Sequence, residues 1–284
     1  MRRLGIRYDL RSLVRGDGEP PEVRYEEILD HAERAEQVGA DVLWVAERPF
    51  VAGALLPAAF PLCAALAERT TRARIASGAL PLPLHHPLRV AEDAATLDVI
   101  SGGRFELGVG LGEHAEGFDG FGIPIRERAG RFEEALTLVR LAWTEPVLSF
   151  AGRHYAVDDL AVHPRPVQQP HPPVWVAGSA ASAVRRAARL GTGLLTDSLD
   201  AARGFLAAWQ AQGRPPEQAR VAWHVDPGGA DPEPALPGIR AGLETLSGAT
   251  VDLLVPALPA GADLEPALAG LEHLSRALRP SFVA

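Results

Sequence analysis

Two rhythms of apolar and polar positions alternate along the chain. Short apolar runs of strand length occur at residues 4–8, 42–46, 73–80, 104–110, 174–177, 193–196, 221–225 and 251–255. Between them, apolar or small residues recur at helical spacing over 25–38, 55–68, 87–99, 126–143, 180–190, 201–212, 239–246 and 264–278. The punctuation agrees with this reading. Gly39 follows the first helical stretch as a C-terminal stop, and Pro87 opens the third, where proline suits the first turn. Eight strands, each followed by a helix, is the count of a TIM barrel, so the pattern predicts an α/β chain folded as a single (β/α)8 barrel over 1–284. The competing architecture is the doubly wound sheet, which usually has about six strands and a dinucleotide turn near its start.

Residues 145–173 break the rhythm. VLSFAGRHYAV predicts a hairpin around Ala151-Gly152, and HPRPVQQPHPP predicts an extended proline-rich segment. Together they are expected to form an insertion between the fourth helix and the fifth strand, acting as a lid.

The stretch SGGRFELGVGLGEH, residues 101–114, draws attention for its chemistry. A strand that stops on Gly110-Leu111-Gly112 leaves bare backbone N–H groups, which a flat or anionic ligand can approach closely. It is a poor dinucleotide fingerprint, because Gly117, Gly120, Gly122 and Pro124 follow where a helix is required.

Composition narrows the function. The net charge of -8 and a pI near 5.6 exclude nucleic acid and anionic membranes as natural partners. All 28 basic residues are Arg, spread evenly rather than clustered. The single Cys, Cys63, in an apolar helical stretch, reads as an inert core thiol in a reducing, cytoplasmic setting. The N-terminal MRRLGIRYDLRSLVRGDG carries positive charge without the apolar core of a signal peptide, and no run approaches the roughly 18 apolar residues of a membrane span.

In a barrel, the active site lies at the C-terminal strand ends. That rule selects Tyr8, Glu47-Arg48, Ser77 to Leu80, Gly110 to His114, Gly178 to Ser182, Thr196 to Ser198, and His224 to Asp226. Gly178-Ser179-Ala180-Ala181-Ser182 enters a helix, and its N–H groups, positive helix end and two hydroxyls suit an anion, an attraction of roughly 0.3–1 kcal/mol when exposed. A plain N-cap by Ser179, with Ser182 at the third helical position, fits the same spacing. His224 and Asp226 share a strand face, either as a carboxylate-oriented imidazole or as a simple polar pair. Adjacent His85 and His86 point to opposite sides of an extended segment, and no further ligand stands at metal spacing, so no metal is assigned.

Three blocks occur in one order: LPLPLHHPLRVAEDAATLDVISGGRFELGVGLG, FGIPIRERAGRFEEALTLVRLAW and HPRPVQQPHPPVWVAGSAASAVRRAARLGTGLL. On these the chain resembles the bacterial-luciferase-like monooxygenase family of flavin- and deazaflavin-dependent oxidoreductases, from about residue 39 to residue 196. The resemblance implies a cofactor site built from Ser77, Gly78 and Ala79, from Gly110, Leu111, Gly112 and His114, and from Gly178, Ser179 and Ser182. It makes Ser179 and Ser182 the grip on a flavin phosphate, and Gly78-Ala79 the position where family members often carry a non-proline cis peptide. The HHP run becomes a structural turn near the flavin edge.

At the end of the second strand the family commonly reads Glu-His-His, the first His being its acid/base. This chain reads Glu47-Arg48-Pro49. Arg does not give up its proton near neutrality. Arg48 and Glu47 are therefore candidate catalytic residues in a changed sense: Arg48 to hold an anionic substrate or stabilise negative charge, or merely to pair with Glu47.

The implied function is a monooxygenase acting on a small organic substrate with reduced FMN as cosubstrate, FMN being supplied by a separate flavin reductase, in a homodimer. FMN is preferred over the deazaflavin coenzyme F-420, because deazaflavin members often hold phosphate with a Lys after the sixth strand and this chain has none in Thr196-Asp197-Ser198-Leu199. The alternatives are a deazaflavin-dependent hydride-transfer enzyme and a non-catalytic flavin binder.

Overall fold

Parallel strands close on themselves around a packed interior. The structure, a computed structural model, describes residues 2–9, 21–51, 56–228, 230–257 and 264–282. In chain order it runs β1 (Arg2–Tyr8), α1 (Pro21–Val38), β2 (Val42–Val45), α2 (Ala59–Arg69), β3 (Arg74–Ser77), β4 (Leu80–Pro81), α3 (Pro87–Ile100) and β5 (Phe105–Gly110). Then come α4 (Ala115–Gly120), α5 (Arg128–Thr144), β6 (Leu148–Ala151), β7 (Ala156–Leu160), β8 (Val174–Ala177), α6 (Ala181–Leu190), β9 (Gly193–Thr196) and α7 (Leu199–Ala211). β10 (Arg220–His224), α8 (Leu236–Thr245), β11 (Thr250–Pro256) and α9 (Glu265–Phe282) complete it. Part of the N-terminal stretch read against a signal peptide, and the expected start of the second helix at Leu55, lie outside the described residues.

The sheet order β3-β2-β1-β11-β10-β9-β8-β5-β4, with β3 also paired to β5, closes the barrel. Its strand pairings are all parallel. β3 and β4 share one place in the wall, both pairing with β5 and separated by Gly78-Ala79, so eight staves result, as the sequence pattern predicts. Strands buried on both faces read as continuous apolar runs; β2 and β5 are buried at every position.

The barrel interior holds Val42, Trp44, Ala76, Trp175, Leu195, Ala222 and Leu254. Trp44 and Trp175 meet edge to face with centroids 5.3 Å apart. The indoles fit because a neighbour is glycine: a Cβ at Gly193 would lie 2.2 Å from Trp175 Cε3.

Below the indoles the N-terminal end is closed by charge. Arg3 donates to Asp252 through Nε at 2.7 Å and through Nη2, and to Glu106 through Nη1 at 2.7 Å. Glu106, fully buried, also accepts from Arg74, from Arg220 at 3.4 Å and from the Trp175 indole at 2.7 Å. Burial works against its charge, but Arg3, Arg220 and Arg74 outweigh it and hold the carboxyl well below the usual range.

The insertion forms the predicted hairpin, with β6 and β7 antiparallel. It lies along α5, where the Glu134 carboxylate accepts from the N–H groups of Arg153, His154 and Tyr155 at 2.9, 2.8 and 3.2 Å. The proline-rich segment does not serve as a lid. It runs beneath the opposite end of the barrel: Gln168 Nε2 donates to Phe105 O at 2.7 Å, Arg74 Nη2 donates to Gln168 Oε1 at 2.7 Å, and Pro173 O accepts from Leu107 N at 2.8 Å. Among the described residues no helix is long and apolar enough to cross a membrane.

Candidate functional site

A cavity of about 630 Å3 opens at the C-terminal strand ends, the size of a small-molecule or cofactor site. It is lined from β1, β2, β4, β5, β8, β9 and β10, and by no residue of 145–173.

Its floor is flat. Ala79, Gly110 and Ala177 end three neighbouring staves, and a Cβ built on Gly110 would lie 3.4 Å from the Ala79 Cβ and 3.7 Å from that of Ala177. A side chain there would fill space a planar ring can occupy. The Gly78-Ala79 peptide is cis, as the resemblance implies. Leu111, Gly112 and His114 also line the cavity. Ser77 does not: it is fully buried, and its hydroxyl donates to Gly108 O at 2.9 Å and accepts from Gly108 N at 3.0 Å, tying β3 to β5. Gly78 reaches the site only through its carbonyl, which accepts from Arg7 Nε at 3.1 Å.

At the β2 end, Arg48 pairs with Asp9 rather than with Glu47. Its Nε and Nη2 donate to the two Asp9 oxygens at 2.9 and 2.8 Å, a bidentate fork. Those bonds push the Arg48 pKa further up, so the group stays charged. Its Nη1 lies 3.1 Å from His114 Nε2. Glu47 is occupied twice, by Ala59 N at 2.9 Å at the start of α2 and by His85 Nε2 at 2.5 Å. Both carboxylate oxygens hold structure, and Glu47 also lines the cavity. His85 and His86 do diverge, His86 standing edge to face with Tyr155 at 6.0 Å.

The β8–α6 turn carries the residues expected to hold an anion, and it is not a plain N-cap. Ala180 is the N-cap of α6 and no side chain caps it, so the N-cap reading of Ser179 fails and Ser182 stands second in the helix. Both serines line the cavity, as does Arg128 at the first turn of α5, half-buried and without a hydrogen-bond or ion-pair partner among the described residues. The Ser179 hydroxyl is 2.8 Å from that of Thr196 and donates to Asp197.

His224 faces the cavity, where burial, helped by Arg7, lowers its pKa to about 4 and leaves it neutral near pH 7. It is not paired with Asp226, which is exposed and accepts from Gly228 N at 3.0 Å. Tyr8 is fully buried, its hydroxyl 2.8 Å from His31 Nδ1. Cys63 is a buried thiol whose pKa burial pushes up. Among the described residues no group of three His, Cys, Asp or Glu is arranged to hold a metal. Sequence reasoning missed Arg7, Asp9 and Arg128. The first two end β1, and strand-end position was the signal available for them. Arg128 had no such signal, since it starts a helix after a loop.

The model of the luciferase-like monooxygenase family matches residues 10–231. The F420-dependent glucose-6-phosphate dehydrogenase of Intrasporangium calvum is 35% identical over 181 residues, 61% of this chain and 54% of that protein. The oxygenase component of the flavin-dependent trigonelline monooxygenase of Acinetobacter baylyi is 27% identical over 155 residues, 54% of this chain and 43% of that protein. The chain spans about half the length of the curated relatives it matches. The oxygenating constituent of 3,6-diketocamphane monooxygenase from Pseudomonas putida, solved in complex with FMN, superposes with a TM-score of 0.80 over 98% of each chain at 18% identity, which is a likeness of fold.

Proposed function

The chain belongs to the luciferase-like monooxygenase family, and from that premise we propose that it is an FMN-using monooxygenase of the two-component kind, taking reduced FMN from a separate reductase to oxygenate a small organic substrate. The observation that carries this reading is the pairing of a flat floor, Ala79, Gly110 and Ala177, with an anion cradle in one cavity. Ser179, Ser182, the N-terminus of α6 and Arg128 hold the phosphate, and the floor supports the ring. Bound FMN supplies the redox chemistry; the chain supplies binding, orientation and an interior sealed below. Arg48 does not act as a general base, since a guanidinium forked to a carboxylate keeps its protons.

A deazaflavin-dependent hydride-transfer reaction is the second reading, favoured by the 35% identity to a deazaflavin enzyme. Against it stands Asp197 at the β9 end, a negative charge bonded to Ser179 where the more anionic cofactor would need a cation. Titration with FMN and with the deazaflavin, each oxidised and reduced, separates the two. The proposal expects FMN to bind and oxygen uptake with reduced FMN to exceed that of reduced FMN alone. Binding of the deazaflavin only would replace it with the second reading.

A further inference from the structure

Asp9, Arg48 and His114 form a line from the end of β1, past the end of β2, to the loop after β5. The Asp9 carboxylate takes two of the three Arg48 nitrogens, and the third, Nη1, lies 3.1 Å from His114 Nε2. A guanidinium has donors only, so His114 Nε2 accepts, and the single ring proton of the neutral imidazole sits on Nδ1. No described residue accepts from that Nδ1: His114 precedes α4 at its N-cap position, yet its side chain makes no capping bond. The residue lines the cavity.

We infer that Asp9 and Arg48 fix His114 as a neutral Nδ1–H donor, and that this donor binds an acceptor oxygen, carbonyl or carboxylate, of the ligand in the cavity. The inference rests on reading that cavity as the cofactor and substrate site. Protonating His114 at Nε2 would break its bond to Arg48 and set two cations in contact. A neutral imidazole held this way polarises an oxygen without transferring a proton. The replacement of His by Arg at position 48 therefore does not empty the cavity of imidazole. It moves the donor to the loop after β5 and makes Arg48 its positioning residue.

The test is the tautomer, read by 15N–1H correlation of the imidazoles in the full chain without cofactor, with His114 assigned by its loss in His114→Phe. The wild type is expected to show a protonated Nδ1 and a lone-pair Nε2 at pH 7. Arg48→Met should release the ring to the Nε2–H form, and Arg48→Lys, which keeps a donor but not the fork, should hold it partly. Adding FMN, or benzoate and acetone as carboxylate and carbonyl probes, should move the Nδ1–H resonance. For the probe that moves it, His114→Phe should raise Kd about tenfold, the size of one hydrogen bond. A wild-type ring protonated at Nε2, or at both nitrogens, overturns the clamp. A ring in the expected tautomer that none of the three probes perturbs overturns the donor role. Failure of the FMN reading shows separately, as absent flavin binding beside an intact tautomer.

Discussion

The Ser179 hydroxyl donates to the Asp197 carboxylate across the gap between the ends of β8 and β9. A phosphate that takes this hydroxyl must displace one anion and then lie beside it. Asp197→Asn is therefore expected to tighten FMN binding by about 0.5–1 kcal/mol, a modest gain because the carboxylate is exposed. Riboflavin, which has no phosphate, should be unaffected. Flavin fluorescence titration reads both, and equal gains for the two ligands would place the phosphate elsewhere.

Ser182 is the complementary case, a hydroxyl at the helix end with no partner to release among the described residues. Ser182→Ala should weaken FMN by about 1–2 kcal/mol, the loss expected of a charge-assisted bond. The loss for riboflavin should be much smaller in the same titration.

Arg48 and Asp9 are coupled through two hydrogen bonds in a mostly buried setting, their side chains 12% and 15% exposed. Arg48→Ala leaves a carboxylate with one guanidinium fewer, and Asp9→Ala leaves a charged guanidinium without its fork. Urea unfolding of the two single variants and the double variant is expected to give a coupling energy of about 1–3 kcal/mol. Strictly additive losses would mean that the fork does not form in solution.

Acid should act in two separate windows. Burial lowers the His31 pKa from about 6.5 to about 4. The unfolded chain therefore binds the proton first, and stability falls as pH drops through that window, by up to about 3 kcal/mol. His31→Gln should flatten this part of the profile. Glu106 has a depressed pKa, so the stability it contributes is present above its unfolded value and is lost only below about pH 4.3. Glu106→Gln should cost about 3–5 kcal/mol at neutral pH, as expected on breaking a buried ionic cluster, and should leave the His31 window unchanged.

The barrel was legible because its strands are buried on both faces and its helices on one, two periods that do not resemble each other. The hairpin was legible from its turn, Ala151-Gly152 between two short strand runs. The lid was not: proline content predicts an extended segment but carries no information about which barrel end it crosses. Glu106 was hidden inside the run FELGVG, where a lone acid among apolar residues was the signal, and Asp252 in TVDLLVP repeats it. The α4 helix was read as loop because Gly117 and Gly120 fall within it. Glu47 and Ser77 sat at strand ends, where position suggests chemistry; only their partners, the start of α2 and the β5 backbone, show that they hold structure.

The closed lower end governs traffic. With Arg3, Glu106 and Asp252 locked beneath the indoles and the proline-rich segment drawn across the outside, the cavity lies at the barrel end opposite this closure. Whatever arrives first becomes the back wall for whatever follows. Under the proposed function, a flavin seated on the floor would leave only after the molecule in front of it, and exchange would be ordered, last in and first out. A reductase delivering that flavin would then compete with substrate for the same rim.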